Sequence, residues 1–529
     1  MRQLRLDSYT LNGMFKRILV ANRGEIALRV QRTCRELGIE TVAVYSEPDR
    51  SLMHMREADY SVCIGDGPAT DSYLSIPKII DAAKETGADA IHPGYGFLSE
   101  NAEFVEACDA AGIKFIGPTA DSMRNLGDKV SARQIMEQAG VPIVPGANDI
   151  DPDDFASAER EAARVGFPLL VKASAGGGGR GIRLVETPDQ LEDSMRLASS
   201  EASSSFGNAT IFLERFVSPA RHIEVQIIAD SHGNVSAFGE RECSVQRRNQ
   251  KVLEEAPSIA VTPEIRQRLC DAAISAAKGS GYQNAGTVEF LMDSQGEFYF
   301  LEVNARLQVE HPVTELIFGG VDLVALQIAV AGGASVTDGL IDSGPIGWAI
   351  ECRINGEDPY ENFRPSLGLI DHVEYPVGPG VRFDSMLFPG LDVPIFYDSL
   401  LGKLIVWAET RELAIERMKR ALRELLISGP QTNIPFHLAL MDNEDFRSGN
   451  IHTNWLEQSF VMPESNLSDR ELHMALAAAA ISSSLTANTA SGTQTQSKKA
   501  SKWTSAGRGN SMEGLPISTG ESGWLRGIR

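Results

Sequence analysis

The segment Glu302-Val303-Asn304-Ala305-Arg306-Leu307-Gln308-Val309-Glu310 alternates polar and apolar residues without a break. In an extended chain successive side chains leave on opposite faces. Glu302, Asn304, Arg306, Gln308 and Glu310 are therefore expected on one face, with Val303, Ala305, Leu307 and Val309 on the other. An ordinary half-buried strand alternates in the same way. Here the polar face is chemically specific, carrying acids, amides and an arginine. It follows the very apolar Phe298-Tyr299-Phe300-Leu301, and another carboxylate lies upstream in Thr287-Val288-Glu289-Phe290-Leu291.

Between the two apolar runs, Asp293-Ser294-Gln295-Gly296-Glu297 reads as a turn. A hairpin with a loop of roughly four residues, a common length, sets Glu289 opposite Glu302. Like charges so placed destabilise a sheet. At ~4 Å two unit charges cost ~4 kcal/mol at an effective dielectric of 20. A divalent cation removes that cost, and carboxylate and amide oxygens suit hard ions such as Mg²⁺ or Mn²⁺. The plainer alternative is two acids paired with lysine or arginine at a strand end.

Length and charge bound the rest. A chain of 529 residues suggests about three or four domains of ~150 residues. With 43% apolar residues it can bury several cores. The net charge of −22, with no basic stripe, argues against nucleic acid as a partner. The six cysteines show no metal-ligand spacing and read as reduced cytoplasmic thiols. No apolar run approaches the ~20 residues of a membrane span. Residues 1–13 lack the apolar centre of a signal peptide and read as a dispensable leader, which leaves Met1 and Met14 as rival starts.

Phe15–Asn22 reads as a buried strand, Glu25–Leu37 as a helix ending at Gly38, and Glu40–Ser46 as a second strand. This βαβ pattern predicts an α/β first domain over residues 14–127, with another strand at Ala88–His92. Its first turn, Asn22-Arg23-Gly24-Glu25, is not a dinucleotide fingerprint. A second domain is expected over 128–332. A third, over 343–458, is expected to be rich in short strands and to end with a helix at Arg411–Leu426. The remainder, 459–529, reads as a tail with a polar linker over Ser482–Ser501. Ser468 and Glu471 have the spacing of a capping box, predicting a short helix, and Trp503 and Trp524 suggest a docking end.

Ser174-Ala175-Gly176-Gly177-Gly178-Gly179-Arg180-Gly181 lies between strand patterns Pro168–Ala173 and Ile182–Val185. A Rossmann fingerprint needs a following helix, and a Walker A loop needs Gly-Lys-Ser/Thr. What remains is a strand–loop–strand flap whose bare amides can close over a polyphosphate, or a simple flexible hairpin. Lys129 and Lys172 are candidate phosphate contacts, although either alone reads as a surface lysine. His222, at a strand start, reads by itself as structural. Glu240–Lys251 is dense in charge, fitting either a solvated strand face or a small anionic substrate.

Taken together, ILVANRGEIALRV, IHPGYGFLSEN, KASAGGGGRGIR, ERECSVQRRNQK, FLEVNARLQVEHPVTE, ECRINGEDP and YDSLLGKLI resemble biotin carboxylase, the ATP-grasp component of biotin-dependent carboxylases. The likeness runs from about Met14 to Glu457. It implies a multidomain α/β and α+β chain. The expected parts are a Rossmann-like pre-ATP-grasp domain, an ATP-grasp domain with a mobile glycine-rich lid, and a C-terminal mixed α/β domain. It implies that ATP phosphorylates bicarbonate to carboxyphosphate, whose CO₂ is captured by N1′ of biotin. ATP contacts would fall to Lys129, Lys172, Gly178, Gly179, Glu214, Arg215, Phe216, Val217, His222 and Gln246. Glu289, Glu302 and Asn304 would hold Mg²⁺ or Mn²⁺, with two ions expected. Lys251, Arg306, Gln308 and Val309 would bind bicarbonate, Glu310 would deprotonate it, and Arg353 would stabilise the biotin enolate.

The chain departs from the family pattern in two places, Asn249 where some members have histidine and Arg215 where lysine is familiar. No Met-Lys-Met biotinylation site occurs, so the resemblance implies a separate biotin carboxyl carrier protein, carboxyltransferase subunits and a homodimer. Acetyl-CoA, propionyl-CoA and pyruvate systems share this component. The rival readings are another ATP-grasp carboxylate-activating ligase and a non-catalytic member of the fold. The joint presence of Lys251, Arg306, Glu310 and Arg353 argues against the first, and the intact acid–metal–base set against the second.

Overall fold

The structure, a computed structural model, describes residues 15–151, 154–173, 182–206, 211–336, 339–340 and 344–464. The expected leader, the glycine loop Ser174–Gly181 and the tail with its capping box and tryptophans lie outside the described residues.

The apolar run Arg17–Val20 forms a buried strand, followed by helix Gly24–Glu36 and strand Glu40–Ser46. The helix stops where predicted because Gly38 takes a positive φ of 71°, which glycine adopts without penalty. The strands pair in parallel, Arg17 with Glu40 through Val20 with Ala43. Across the sheet the order is Tyr60–Gly65, Glu40–Ser46, Arg17–Val20, Ala90–His92, Lys114–Phe115. This matches the first five strands of the Rossmann-like order, 3-2-1-4-5.

Four antiparallel strands make a small second sheet, in the order Gly146–Ile150, Ile211–Arg215, Leu169–Ala173, Ile182–Val185. Helices Phe155–Val165 and Leu191–Phe206 pack Ala158, Ala162, Leu191 and Met195 against Leu169, Val171 and Leu213. The strands flanking the glycine loop pair antiparallel, Lys172 with Ile182, as a strand–loop–strand requires.

The largest sheet positions the site. Its path runs Phe298–Asn304, Asn284–Met292, Arg221–Ala229, Val235–Arg247, Gln250–Ala256, Trp348–Asn355, Leu400–Ala408, Val381–Ser385. It crosses the expected second domain boundary without interruption, because Leu253 to Ala256 pair with Cys352 to Ala349. Along Arg221–Ala229, Ile223, Val225 and Ile227 join a core with Leu269, Ala273 and Ala276 of helix Pro263–Gly279. Each such side chain contributes about 1.5–3 kcal/mol by leaving water. The alternate residues, His222, Glu224 and Gln226, leave on the opposite face and are equally buried. Residues Val235–Gln246 are buried throughout, so the first half of the charge-dense Glu240–Lys251 is no solvated face, while Arg248, Asn249 and Gln250 are exposed.

The hairpin sets Glu289 opposite Glu302 as expected, by a different route. The loop has five residues, Asp293 to Glu297, and a register shift between Glu289 and Phe290 restores the pairing. The expected strand over Glu302–Glu310 is corrected, because it ends at Asn304. The amide of Ala305 turns to the Glu100 carboxylate at 2.9 Å. A turn closed by His311 N to Gln308 O follows, and helix His311–Ile317 begins there. Its second residue is Pro312, which has no N–H for a sheet ladder.

In the last region the expected helix is Arg411–Glu424, capped by the Thr410 hydroxyl, which accepts from the Leu413 amide. It is not the end of the domain. Helices Ile434–Asp442, Glu444–Ser448 and Trp455–Gln458 follow, and Phe436, Leu440, Phe446 and Trp455 complete a core with Met418 and Leu422.

Candidate functional site

Lys251 is the hub of a buried charge cluster. Its Nζ donates to Glu224 at 2.5 Å, Glu289 at 2.8 Å and Glu310 at 2.7 Å. The residues arrive from four segments: strand Arg221–Ala229, strand Gln250–Ala256, strand Asn284–Met292 and the turn before His311. Burial disfavours the Lys251 cation, yet the three carboxylates raise its pKa well above the ordinary lysine value.

Glu289 is the most heavily bonded acid. Its Oε1 accepts from Lys251, Asn304 Nδ2 and Gln308 Nε2, each at 2.8 Å. His222 Nε2 lies 3.2 Å from its Oε2. Burial pushes the Glu289 carboxyl up, but Lys251 and His222 outweigh it and hold it well below the usual range. Burial likewise works against the His222 cation, and Glu289 overrides it, pushing that pKa up to about 9. His222 is therefore charged at neutral pH and belongs to the cluster, whereas a histidine at a strand start reads from sequence as structural.

Glu310 caps the entry to helix His311–Ile317 and is 1% exposed. Its Oε1 accepts from Lys251, and its Oε2 accepts from Arg353 Nη2 at 3.0 Å. Burial raises its pKa, but Lys251, Arg353 and Arg241 prevail over repulsion from Glu224 and keep it below the ordinary carboxylate value. Arg353 Nε also donates to Glu254 at 2.6 Å.

Arg306 donates to Glu100 Oε2 at 2.9 Å and to Asn304 Oδ1 at 3.0 Å. Gln308 donates to Glu289 and accepts from Arg241 Nη2 at 2.8 Å, so its amide links the two. The carbonyl of Val309 accepts from Lys403 Nζ at 2.9 Å. Glu302 is exposed at the open side of the Glu289–Glu302 pair. Carboxylate and amide oxygens are the ligand types that a hard divalent ion takes; here Glu289 Oε1 accepts from Lys251, Asn304 and Gln308, and Asn304 Oδ1 accepts from Arg306.

The small sheet carries a second group. Lys172 pairs with Glu214, which also accepts from Arg133 at 3.2 Å. Arg215 and Phe216 use backbone amides, bonded to Pro145 O at 2.8 Å and Pro168 O at 3.0 Å. Arg215 is exposed, and Phe216 and Val217 are half-buried. Gln246 is buried, its amide donating to Cys243 O at 2.9 Å. Lys129 is the first residue of helix Lys129–Gln138. Gly178 and Gly179 lie outside the described residues.

Sequence reasoning missed Glu224, Arg241, Glu254, Glu100 and Lys403. Arg241 is wholly buried and uses every N–H it has, toward Glu224, Gln226, Thr287, Gln308 and Thr314. Period-two reading applied to His222-Ile223-Glu224-Val225-Gln226 would have put Glu224 on the polar face. Glu100 and Lys403 carry no comparable local signal, because their partners are about 200 and 90 residues away.

Three family models match: biotin carboxylase, N-terminal domain, over residues 14–123; carbamoyl-phosphate synthase L chain, ATP binding domain, over 128–338; and biotin carboxylase C-terminal domain, over 351–458. Biotin carboxylase 1 of Bacillus subtilis is 50% identical over 85% of this chain and 100% of its own length. One pyruvate carboxylase subunit, from Methanothermobacter thermautotrophicus, is 51% identical over 84% of this chain and 90% of its own. A crystal structure of the Hydrogenobacter thermophilus 2-oxoglutarate carboxylase biotin carboxylase domain dimer, in complex with MgADP, ADP and bicarbonate, is 47% identical with a TM-score of 0.77. That match covers 84% of this chain and 98% of the other.

Proposed function

This chain belongs to the biotin carboxylase family, and from that premise we propose that it carboxylates biotin on a separate carrier protein, using ATP and bicarbonate. The observation that carries the reading is the Lys251 cluster, in which Glu310 is held between Lys251 and Arg353. Bicarbonate is a poor nucleophile until it loses its proton, and Glu310 is an ionised, fixed carboxylate that can take it. Lys251 and Arg306 offset the charge of the dianion so formed. Gln308 and the Val309 backbone complete its binding. Arg353 then turns part of its guanidinium from Glu310 toward the biotin enolate oxygen.

Glu289, Glu302 and Asn304 would hold Mg²⁺ or Mn²⁺, as two ions. An ion held there would supply positive charge to offset that of the phosphoryl oxygens. Lys129, Lys172, the Gly178–Gly179 loop, Glu214 to Val217, His222 and Gln246 form the nucleotide side of the same proposal. Hinge contacts to adenine are expected through backbone, and the exposed Arg215 side chain makes Arg215 for lysine a mild departure. Boundaries at 14–127, 128–332 and 343–458 belong to it too, as do a homodimer, carrier and carboxyltransferase partners and a cytoplasmic location. Six free cysteines are consistent with that location, and among the described residues no helix is long and apolar enough to cross a membrane. The acyl acceptor of the partner transferase, whether acetyl-CoA, propionyl-CoA or pyruvate, is to be read from the native complex.

The test is ATP hydrolysis by the full chain with and without bicarbonate, then with free biotin. Hydrolysis that needs bicarbonate and rises with biotin supports the proposal. Bicarbonate-independent hydrolysis stimulated by another carboxylate would favour a different ATP-grasp ligase.

A further inference from the structure

Lys403 is wholly buried, yet it touches none of the groups assigned above through a side chain. Its Nζ donates to the carbonyl of Val309 at 2.9 Å and lies 3.3 Å from Glu25 Oε1. Glu25 in turn accepts from the Tyr95 hydroxyl. Three parts of the fold thus meet at one ammonium: Glu25 of helix Gly24–Glu36 with Tyr95 of the loop after strand Ala90–His92, Val309 from the turn before His311, and Lys403 from strand Leu400–Ala408. A buried lysine is costly unless its charge is paired and its protons are placed.

Register supplies a second, independent observation. Lys403 and Arg353 are direct partners in adjacent antiparallel strands, so their side chains leave the same face of the sheet. Arg353 reaches the carboxylate of Glu310, while Lys403 reaches the carbonyl of the residue before it. Two neighbouring cations therefore hold Glu310, one at its side-chain carboxylate and one at the carbonyl of the peptide that precedes it. Glu351 leaves the same face two residues from Arg353 and is buried, with neither carboxylate oxygen hydrogen-bonded. Glu351 and Asp384, the strand partner of Lys403 on its other side, feel the Lys403 charge, and Glu25 is its ion-pair partner.

We propose that Lys403 is a positioning residue for the proton-abstracting step: it fixes the Val309–Glu310 peptide, and hence where the Glu310 carboxylate and the Val309 backbone meet bicarbonate. This rests on the functional reading above. Lys403 moves no proton itself, and the nucleotide side of the site does not depend on it.

The experiment is steady-state kinetics of bicarbonate-dependent ATP hydrolysis by the full chain, comparing wild type with Lys403→Met and with Lys403→Met/Glu25→Gln. The double variant removes both charges and so leaves no unpaired buried ion. Each variant is checked by thermal unfolding and by its affinity for a non-hydrolysable ATP analogue. We expect kcat/KM for bicarbonate to fall about 10²-fold, the cost of misplacing a reacting group by about 1 Å, while analogue affinity stays within about twofold. Wild-type kinetics in the folded double variant would overturn the inference. So would parallel loss of analogue binding, or a double variant that cannot fold, since either makes Lys403 a general structural residue. If wild type itself lacks bicarbonate-dependent hydrolysis, the functional reading fails instead.

Discussion

Glu289 and Glu302 face each other across adjacent antiparallel strands, yet only Glu289 turns into the buried cluster, where three donors share one of its oxygens. Lys251 and His222 offset the charge of the buried Glu289, whereas Glu302 is exposed. The two acids should then behave differently when neutralised. Glu302→Gln should abolish most Mg²⁺-dependent ATP use while changing stability by no more than about 0.5 kcal/mol. Glu289→Gln should do the same to ATP use and also cost about 1–3 kcal/mol, since it leaves buried donors short of a partner. Denaturant unfolding in metal-free buffer measures this, and equal stability losses would contradict it.

Glu310→Gln keeps the shape of the site and removes the base. ATP-analogue affinity and metal dependence should persist, while bicarbonate-dependent turnover falls about 10²–10⁴-fold. Near-normal turnover would take Glu310 out of its assigned role.

Arg241 is fully buried with all its N–H groups engaged. Arg241→Met should destabilise the protein by about 3–5 kcal/mol, because it takes the guanidinium from Glu224 Oε1 and removes a buried donor from Gln226, Thr287, Gln308 and Thr314. Arg241→Met/Glu224→Gln should recover part of that loss. A single variant as stable as wild type would show that the network adds nothing net.

Acid should weaken the fold through histidines remote from the site. Burial lowers the pKa of His54 and of His92 from 6.5 to about 4. A lowered value means that the unfolded chain binds these protons first. Their stabilising contribution is full above pH 6.5 and is lost as pH falls through about 4. NMR of histidine-labelled protein should show both rings neutral at pH 5.5, and unfolding free energy should decline steadily below pH 6.5. Rings that titrate near 6.5 in the folded state would refute this.

Local pattern settled a good deal of this protein. Strand Glu40–Ser46 and helix Gly24–Glu36 follow from apolar periodicity and one glycine stop, because such signals act over a few residues. The same holds for the Glu289–Glu302 pairing, where a turn and two apolar runs suffice. Family motifs, read from the chain alone, named Lys251, Glu310 and Arg353 before any of them could be placed together. Tertiary structure decided the rest. Strand Phe298–Asn304 ends early because Glu100, far off in sequence, takes the amide of Ala305. Glu240–Lys251 reads equally as a solvated strand face or as a site for a small anion, and Glu240–Gln246 is buried, helix His311–Ile317 packing on that strand. Lys403 meets Val309 only because Gln250–Ala256 pairs with Trp348–Asn355 and joins two regions into one sheet. Alternation states which residues share a face, and only long-range packing states whether that face meets water or another layer.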